Sequence, residues 1–534
     1  MFRAVPKAAL LAVALVAAAC GAPSAAHSRP ACATRTSLGV VAGTTQAGLC
    51  VFRGIPYAAP PVGGLRFRPP QPVRPWRGTL TADDGTRVCP QTRDQLSEDY
   101  PDRRPVYTDE DCLYLNVWTP RPDPAKRPVI VFIHGGAARF GTANEPRYDG
   151  ARLAARGDAV VISLNYRLGV FGWSDLGGLD PSYQGSGNNG LRDQIAALTW
   201  VQRHVADFGG DPAQVTAVGE SEGAFSLSAM LATDHPERLF HRVILQSGSG
   251  ALVHSPAFER KLAAGFPVHS MSTLKAMSTS QVLDMQEKAV NGLPGAAGGA
   301  LYFGPYVDGT LVRDSVTERV AAGNARGVDL LIGTNLDEMN FFGQFSPHGL
   351  DEIAGQYRGF FPPSLAARRP RMTAVYRRHR TARDAALAMF TDQGMRVPAT
   401  RLAEAQSRWR PTYVYEFDWQ PPSGAGAVHT IELPFMFGTL RFTGIQGGDA
   451  ALRADRARLS RLSDQMVDAW TSFARTGDPG ARRTVARPAW PAWPAYRAPR
   501  RTTMLWNLSP RTAADPRGGE RALWNGYPFG SFDL

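Results

Sequence analysis

Six short, almost wholly apolar runs recur along this chain with helix-length segments between them, and they limit its fold more than any other feature. They cover residues 129–133 (VIVFI), 159–164, 215–218, 243–245, 330–332 and 413–417. A strand with one face in water alternates apolar and polar residues, so runs without that alternation predict strands covered on both faces. Between them, residues 148–156 and 224–232 predict helices. Leu191, Ile195, Leu198, Val201 and Val205 mark an apolar stripe on a third, over 191–206. Strands alternating with helices mean an α/β chain, a large, mostly parallel sheet with helices on both faces.

Upstream of this series, residues 38–43 and 50–55 read as a strand hairpin ahead of a proline-rich loop, and 112–118 as a further strand. Residues 250–300 and 345–410 are helical and loop-rich and fall between core strands. That predicts cap insertions within a single domain spanning 32–530. An amphipathic helix is expected over 453–475, with Leu459, Leu462, Met466, Trp470 and Phe473 on related turns. The aromatic tail at 490–496 is expected to pack rather than bind. With 43% hydrophobic residues in a chain of 534, a core of this size can be buried.

The first 27 residues follow a different logic. Arg3 and Lys7 precede an apolar stretch over 8–19, and small and polar residues follow, the pattern of an export signal. Cys20 directly follows three alanines and resembles the lipid-attachment box of bacterial lipoproteins, which predicts a membrane tether. Cleavage near Ala25 and Ala26 would instead release a secreted protein, and both outcomes stay open. Removal of Cys20 leaves Cys32, Cys50, Cys89 and Cys112. In an oxidising compartment the simplest pairing is Cys32–Cys50 and Cys89–Cys112. No Cys-x-x-Cys pair exists, so no metal site is expected. The net charge of +12 is carried mostly by arginines, but these are scattered (Arg53, Arg66, Arg87, Arg203) rather than gathered in a tract. A nucleic-acid partner is therefore not expected.

The chemistry centres on GESEG at 219–223, between the run at 215–218 and the helix at 224–232. A serine on a tight strand-to-helix turn presents its Oγ above the sheet edge, with unpaired helix amides beside it. An unassisted hydroxyl is a weak nucleophile, so it needs a base and the base an orienting acid. His429, in a turn-rich loop after the strand at 413–417, fits the base. His134 follows a strand in HGGA at 134–137 and better suits a loop whose amides hold an oxyanion. Asp337 and Glu338, after the strand at 330–332, both fit the acid. Gly136, Ala137 and the amide of Glu222 are the candidate oxyanion donors.

Several separated motifs in order resemble the type-B carboxylesterase and cholinesterase family of α/β-hydrolases. They are FRGIPYA at 52–58, EDCLYLNV at 110–117, NYRLG at 165–169, GNNGLRDQ at 187–194, FGGDP at 208–212, GESEG, LQSGS at 245–249, and the segment 429–438. The resemblance implies an α/β-hydrolase fold and ester cleavage through an acyl-enzyme, with no cofactor. It implies Ser221 as nucleophile, His429 as base, Glu338 rather than Asp337 as acid, and Cys89–Cys112 as the family's disulfide loop. Glu220 matches a carboxylate that commonly precedes the nucleophile. Three positions depart from the family pattern: Ala137 for a third glycine, Glu222 for alanine and Met339 for glycine. If Glu222 points inward, a further carboxylate should disfavour the alkoxide and favour protonated His429. The 89–112 loop lacks tryptophan, and Tyr100 and Tyr107 are weak substitutes for a cation–π face. An ester with an apolar acyl part is thus expected over choline esters. Other outcomes of the same residues are an inactive adhesion module, or an amidase, lactonase or thioesterase.

Overall fold

The computed structural model describes residues 32–92, 107–291, 302–346, 348–424, 426–481 and 490–529. The leader, with Cys20, and Tyr100 lie outside the described residues. Eleven strands form one large sheet: β1 Thr44–Gln46, β2 Leu49–Pro56, β3 Tyr114–Thr119, β4 Arg127–Ile133, β5 Val160–Leu164, β6 Gly210–Glu220, β7 Arg242–Gln246, β8 Asp329–Asn335, β9 Thr412–Phe417, β10 Thr502–Trp506 and β11 Arg511–Ala514. Their spatial order is β11-β10-β9-β8-β7-β6-β4-β5-β3-β2-β1. The central strands from β10 to β5 are all parallel, and the pairs toward both edges are antiparallel.

The apolar runs have the predicted cause. On β4, Val129, Val131 and Ile133 join one hydrophobic core, while Ile130 and Phe132 join a second on the opposite face. The first core is covered by α2 (Asn189–His204), and the second by α4 (Arg456–Thr476), with α1 (Ala151–Gly157) packed against α4. Between α2 and α4, α3 (Glu222–Leu231) leaves the end of β6. Arg156 of α1 donates two hydrogen bonds, each of 2.8 Å, to Asp468 of α4. Arg167 and Asp193 form a similar two-pronged pair, both side chains almost wholly buried. The tail tryptophans Trp490 and Trp493 are buried against Trp506 of β10, as packing requires.

Two sequence expectations need correction. Residues 38–43 and 50–55 do not form one hairpin. Gly39–Ala42 pairs with Ala33–Thr36 and Thr79–Thr81 in a separate small sheet, while β2 pairs with β1 and β3. The chain changes sheets at Gly43, where a side chain would lie 2.4 Å from the Val51 carbonyl. The helix expected from 148 begins only at Ala151: residues Pro146–Tyr148 form a separate 3-10 turn, and Asp149, whose side chain accepts from the Ala151 amide, breaks the run between them. The disulfides Cys32–Cys50 and Cys89–Cys112 are both formed. Cys32–Cys50 ties the small sheet to β2.

The stretches 250–300 and 345–410 carry helices at Pro256–Ala264, Met271–Ala276 and Thr279–Asn291, and at Gly349–Phe360, Arg369–Tyr376, Ala382–Thr391 and Val397–Gln406. Tyr357, Phe361, Leu365, Met372 and Tyr376 make a local core of their own under the second stretch. Among the described residues, no helix is long and apolar enough to cross a membrane.

Candidate active site

The chain runs from β4 to β5 on one side and then returns to lay β6 on the other side of β4. At such a reversal the loops leaving the carboxyl ends of adjacent strands diverge and open a crevice. Register sets Gly219 of β6 beside Ile133 of β4 and Leu245 of β7, so the GESEG turn sits at that edge. Ser221 occupies the turn with φ +54° and ψ −122°, a conformation costly for any residue with a side chain. Its amide donates to the Gln246 carbonyl at 2.9 Å, and its carbonyl accepts from Ala224 and Phe225 of α3. These bonds fix the strained residue.

The flanking glycines answer a steric need. A Cβ on Gly219 would lie 2.4 Å from the Gly223 carbonyl carbon, and one on Gly223 would lie 2.1 Å from the Ile133 carbonyl oxygen. Strand, turn and helix therefore approach closer than any side chain permits. The left-handed dihedral belongs to Ser221 itself.

Gly135 abuts this turn, since a Cβ there would lie 2.7 Å from Glu220 Oε2 and 2.8 Å from Ser221 Cβ. Gly136, Ala137 and Ala138 follow with φ of +100°, +54° and +56°. The loop curls so that the Gly136 carbonyl accepts from Arg139 and Phe140 at 3.0 and 3.1 Å. Ala137 thus adopts the left-handed region despite its methyl group, at a cost of roughly 1 kcal/mol. His134 is buried and stacks on Tyr166 with centroids 4.5 Å apart. Its Nδ1–H donates to the Gly135 carbonyl at 2.8 Å. Burial lowers its pKa to about 4, so it stays neutral.

His429 is buried between two carboxylates. Its Nδ1 lies 2.6 Å from Glu338 Oε2, and Glu338 Oε1 accepts from the Asn335 amide at the end of β8. Asp337 is turned elsewhere and accepts from the Ala427 amide at 3.0 Å. Nε2 lies 3.3 Å from Glu220 Oε1 without the alignment of a hydrogen bond. Burial opposes a charged imidazole, but Glu220 and Glu338 outweigh it and push the His429 pKa up to about 9. Burial raises the carboxyl of Glu220, and His429 opposes that rise. Ser221 Oγ makes no hydrogen bond to His429 among the described residues.

Glu222 does point inward, buried to 3% exposure. The carboxylates that push the His429 pKa up most are Glu220 and Glu338, followed by Glu432. Burial raises the Glu222 carboxyl well above the usual range, opposed by a hydrogen bond from Ser226.

Sequence reasoning missed three neighbours. Glu432 is fully buried and accepts from Gln246 Nε2 at 3.0 Å and Asn335 Nδ2 at 2.6 Å. Phe341 and Phe342 face the imidazole with centroids 5.8 and 5.7 Å away. Their only sequence signal was position, a few residues from Glu338 and His429. Among the described residues, no group of three or more His, Cys, Asp or Glu is arranged to hold a metal ion.

Comparison with known proteins fits this geometry. The model of the carboxylesterase family matches residues 30–524. The para-nitrobenzyl esterase of Bacillus subtilis (strain 168) is 37% identical over 461 residues, covering 83% of this chain and 90% of that protein. The phenmedipham hydrolase of Pseudarthrobacter oxydans is 33% identical over 468 residues, with the same two shares. Among solved structures, a thermophilic pNB esterase superimposes with a TM-score of 0.80 at 34% identity, covering 92% of this chain and 100% of that one. The Geobacillus stearothermophilus carboxylesterase Est55 gives 0.79 at 35% identity, with the same coverage. An α/β-hydrolase fold, an elbow serine, and a buried imidazole paired with a carboxylate accompany a match along nearly the whole chain: it belongs to the carboxylesterase family and is a carboxylic-ester hydrolase.

Proposed function

We propose that the chain cleaves carboxylic esters through an acyl-enzyme formed on Ser221, with His429 as base and Glu338 as the acid that orients it. The observation that carries this reading is the 2.6 Å contact between His429 Nδ1 and the buried Glu338 carboxylate, which leaves Nε2 on the side of the elbow. In the first half, Nε2 exchanges Glu220 for Ser221 Oγ and takes its proton as Oγ attacks the ester carbonyl. The amides of Gly136, Ala137 and Glu222 hold the oxyanion. Protonated His429 then gives its proton to the leaving alcohol, and water repeats the cycle on the acyl-enzyme. Phe341 and Phe342 beside the imidazole favour an apolar or aromatic alcohol. The disfavoured choline esters and the apolar acyl chain stay part of the proposal. Export is the reading that two disulfides favour, with release and a Cys20 lipid tether as its two forms.

Treatment with a Ser-directed organophosphate is expected to abolish p-nitrophenyl butyrate turnover and to add one adduct, on Ser221, by peptide mass. An adduct elsewhere with turnover retained rejects the assignment.

Glu220 offers a second test. The base must be neutral to accept a proton, so kcat/KM rises with pH through the imidazole pKa, with its limb near pH 9. Glu220→Gln removes one of the charges that raise that pKa. The limb is expected to move down by about one pH unit or more. An unmoved limb would show that Glu220 does not act on the base.

A further inference from the structure

His429 lies in a turn, outside any helix or strand. The turn is strained at the next residue, since Thr430 has φ +71°. A β-branched residue in that region is an outlier and persists only where its surroundings over-determine it. Residues 427–430 must therefore be held from outside, and held while the imidazole works. In the proposed reaction Nε2 passes from Glu220 to Ser221 Oγ, whereas Nδ1 stays on Glu338. A fixed backbone beside a turning ring meets that need.

The hold comes from the segment that carries the acid. Asn335 Nδ2 donates to the Val428 carbonyl at 3.0 Å. Asp337 engages Ala427 twice: its amide donates to the Ala427 carbonyl at 2.9 Å, and its Oδ2 accepts from the Ala427 amide at 3.0 Å. Ala427 is 0% exposed, so its amide has no water to turn to if that acceptor is lost. Gly426 permits the close approach. It has φ +110°, and a Cβ there would lie 2.4 Å from Asp337 Oδ2.

The usual task of an aspartate at this position is left undone. Asp337 is the N-cap of the 3-10 helix Glu338–Phe345, where the side chain ordinarily accepts from an amide of the first turn. Asp175 and Asp180 do so at the 3-10 helices Leu176–Gly178 and Pro181–Tyr183. The Asp337 side chain makes no such bond. It reaches instead to a loop ninety residues on, two residues short of the proposed base. Consecutive residues thus divide the work: Glu338 takes the ring of His429, and Asp337 takes the backbone that leads to it.

We propose that Asp337 is a positioning residue for ester cleavage: by accepting from the Ala427 amide it fixes the backbone of the base loop, so that His429 Nδ1 stays on Glu338 while Nε2 changes partners. This rests on the Ser221 reading above. The role asks for an acceptor and not for a charge. Asparagine keeps an acceptor oxygen of the same reach, whereas leucine, of similar size, has none.

The test measures kcat, KM and the pH profile of kcat/KM for p-nitrophenyl butyrate in Asp337→Asn and Asp337→Leu, with Ser221→Ala as blank. Active sites are counted by organophosphate titration, so that misfolded protein does not enter the rate. Asp337→Leu is expected to lose about tenfold to a hundredfold in kcat, as for a displacement approaching 1 Å, with KM held within about twofold. Its rising limb of kcat/KM is expected to move to lower pH, because Glu338 helps to push the imidazole pKa up and its contact is loosened. Asp337→Asn is expected to stay within about threefold in kcat, with its limb in place. Gly426→Ala, whose methyl would displace Oδ2 from Ala427, is expected to repeat the leucine pattern and carries the test if Asp337→Leu does not fold. Near wild-type kcat in the folded variant overturns the proposal. A loss with an unmoved limb also overturns it, since general loosening of the fold gives that result. An equal loss in Asp337→Asn overturns it as well, by showing that the charge matters rather than the acceptor. In each of these cases turnover still depends on Ser221. Turnover that survives Ser221→Ala overturns the hydrolase reading itself.

Discussion

Ser221→Ala is expected to lower kcat for p-nitrophenyl butyrate by on the order of 10⁶-fold, down to the residual rate that binding and oxyanion donors alone support. The size follows from what is removed. The oxygen that would carry the acyl group is gone, and a water in its place has neither the fixed position nor the contact with the imidazole. The fold should not notice the change. The residue sits at φ +54°, equally strained for serine and alanine, and its three anchoring hydrogen bonds are all made by backbone atoms. The thermal midpoint is expected within a few degrees of wild type. A variant that keeps more than about a hundredth of the activity would move the nucleophile elsewhere in the chain. The same variant supplies the blank for every rate comparison above.

Gly223→Ala has the second-largest expected effect, and for a different reason. The added methyl would lie 2.1 Å from the Ile133 carbonyl oxygen and 3.0 Å from that of His134. Both contacts are with backbone at the centre of the sheet, where neither a rotamer change nor a surface shift can relieve them. Overpacking at such a site costs about 3 kcal/mol. The helix must move off β4, and with it the turn that holds Ser221. A displacement of about 1 Å at a reacting centre costs roughly a hundredfold in rate. Gly223→Ala is therefore expected to lose both stability, seen as a lowered midpoint in urea, and at least a hundredfold in kcat. Wild-type behaviour in both measurements would mean that the close approach of helix to strand is not needed.

Much of the fold was legible because its cause is local. Residues 129–133 must be apolar throughout when a strand is buried on both faces, and a run so short and rich in β-branched residues favours a strand over a buried helix. The hairpin failed because the chain's change of sheet at Gly43 is set by how closely one backbone passes another, which residue type alone does not report. In the candidate site, order along the chain brought Ser221, Glu338 and His429 into view. Asp337 and Glu338 could not be told apart by their own residue types. What separates them is the Ala427 amide, which engages Asp337 from a loop ninety residues away. Glu222 was noticed as a departure, but the Ser226 hydroxyl that holds its carboxyl could not be told from residue type. Glu432, Phe341 and Phe342 belong to residue types found in any core. They acquire meaning only from the groups they face.

Lysine occurs five times in the chain against 54 arginines. Arginine also provides the interior cation pairs joining α1 to α4 and Arg167 to Asp193. A guanidinium keeps its proton beyond pH 12, whereas an ammonium begins to lose its own near 10. The scaffold's electrostatic ties thus persist through the alkaline range around the raised pKa of His429, so deprotonating the proposed base would leave its framework charged.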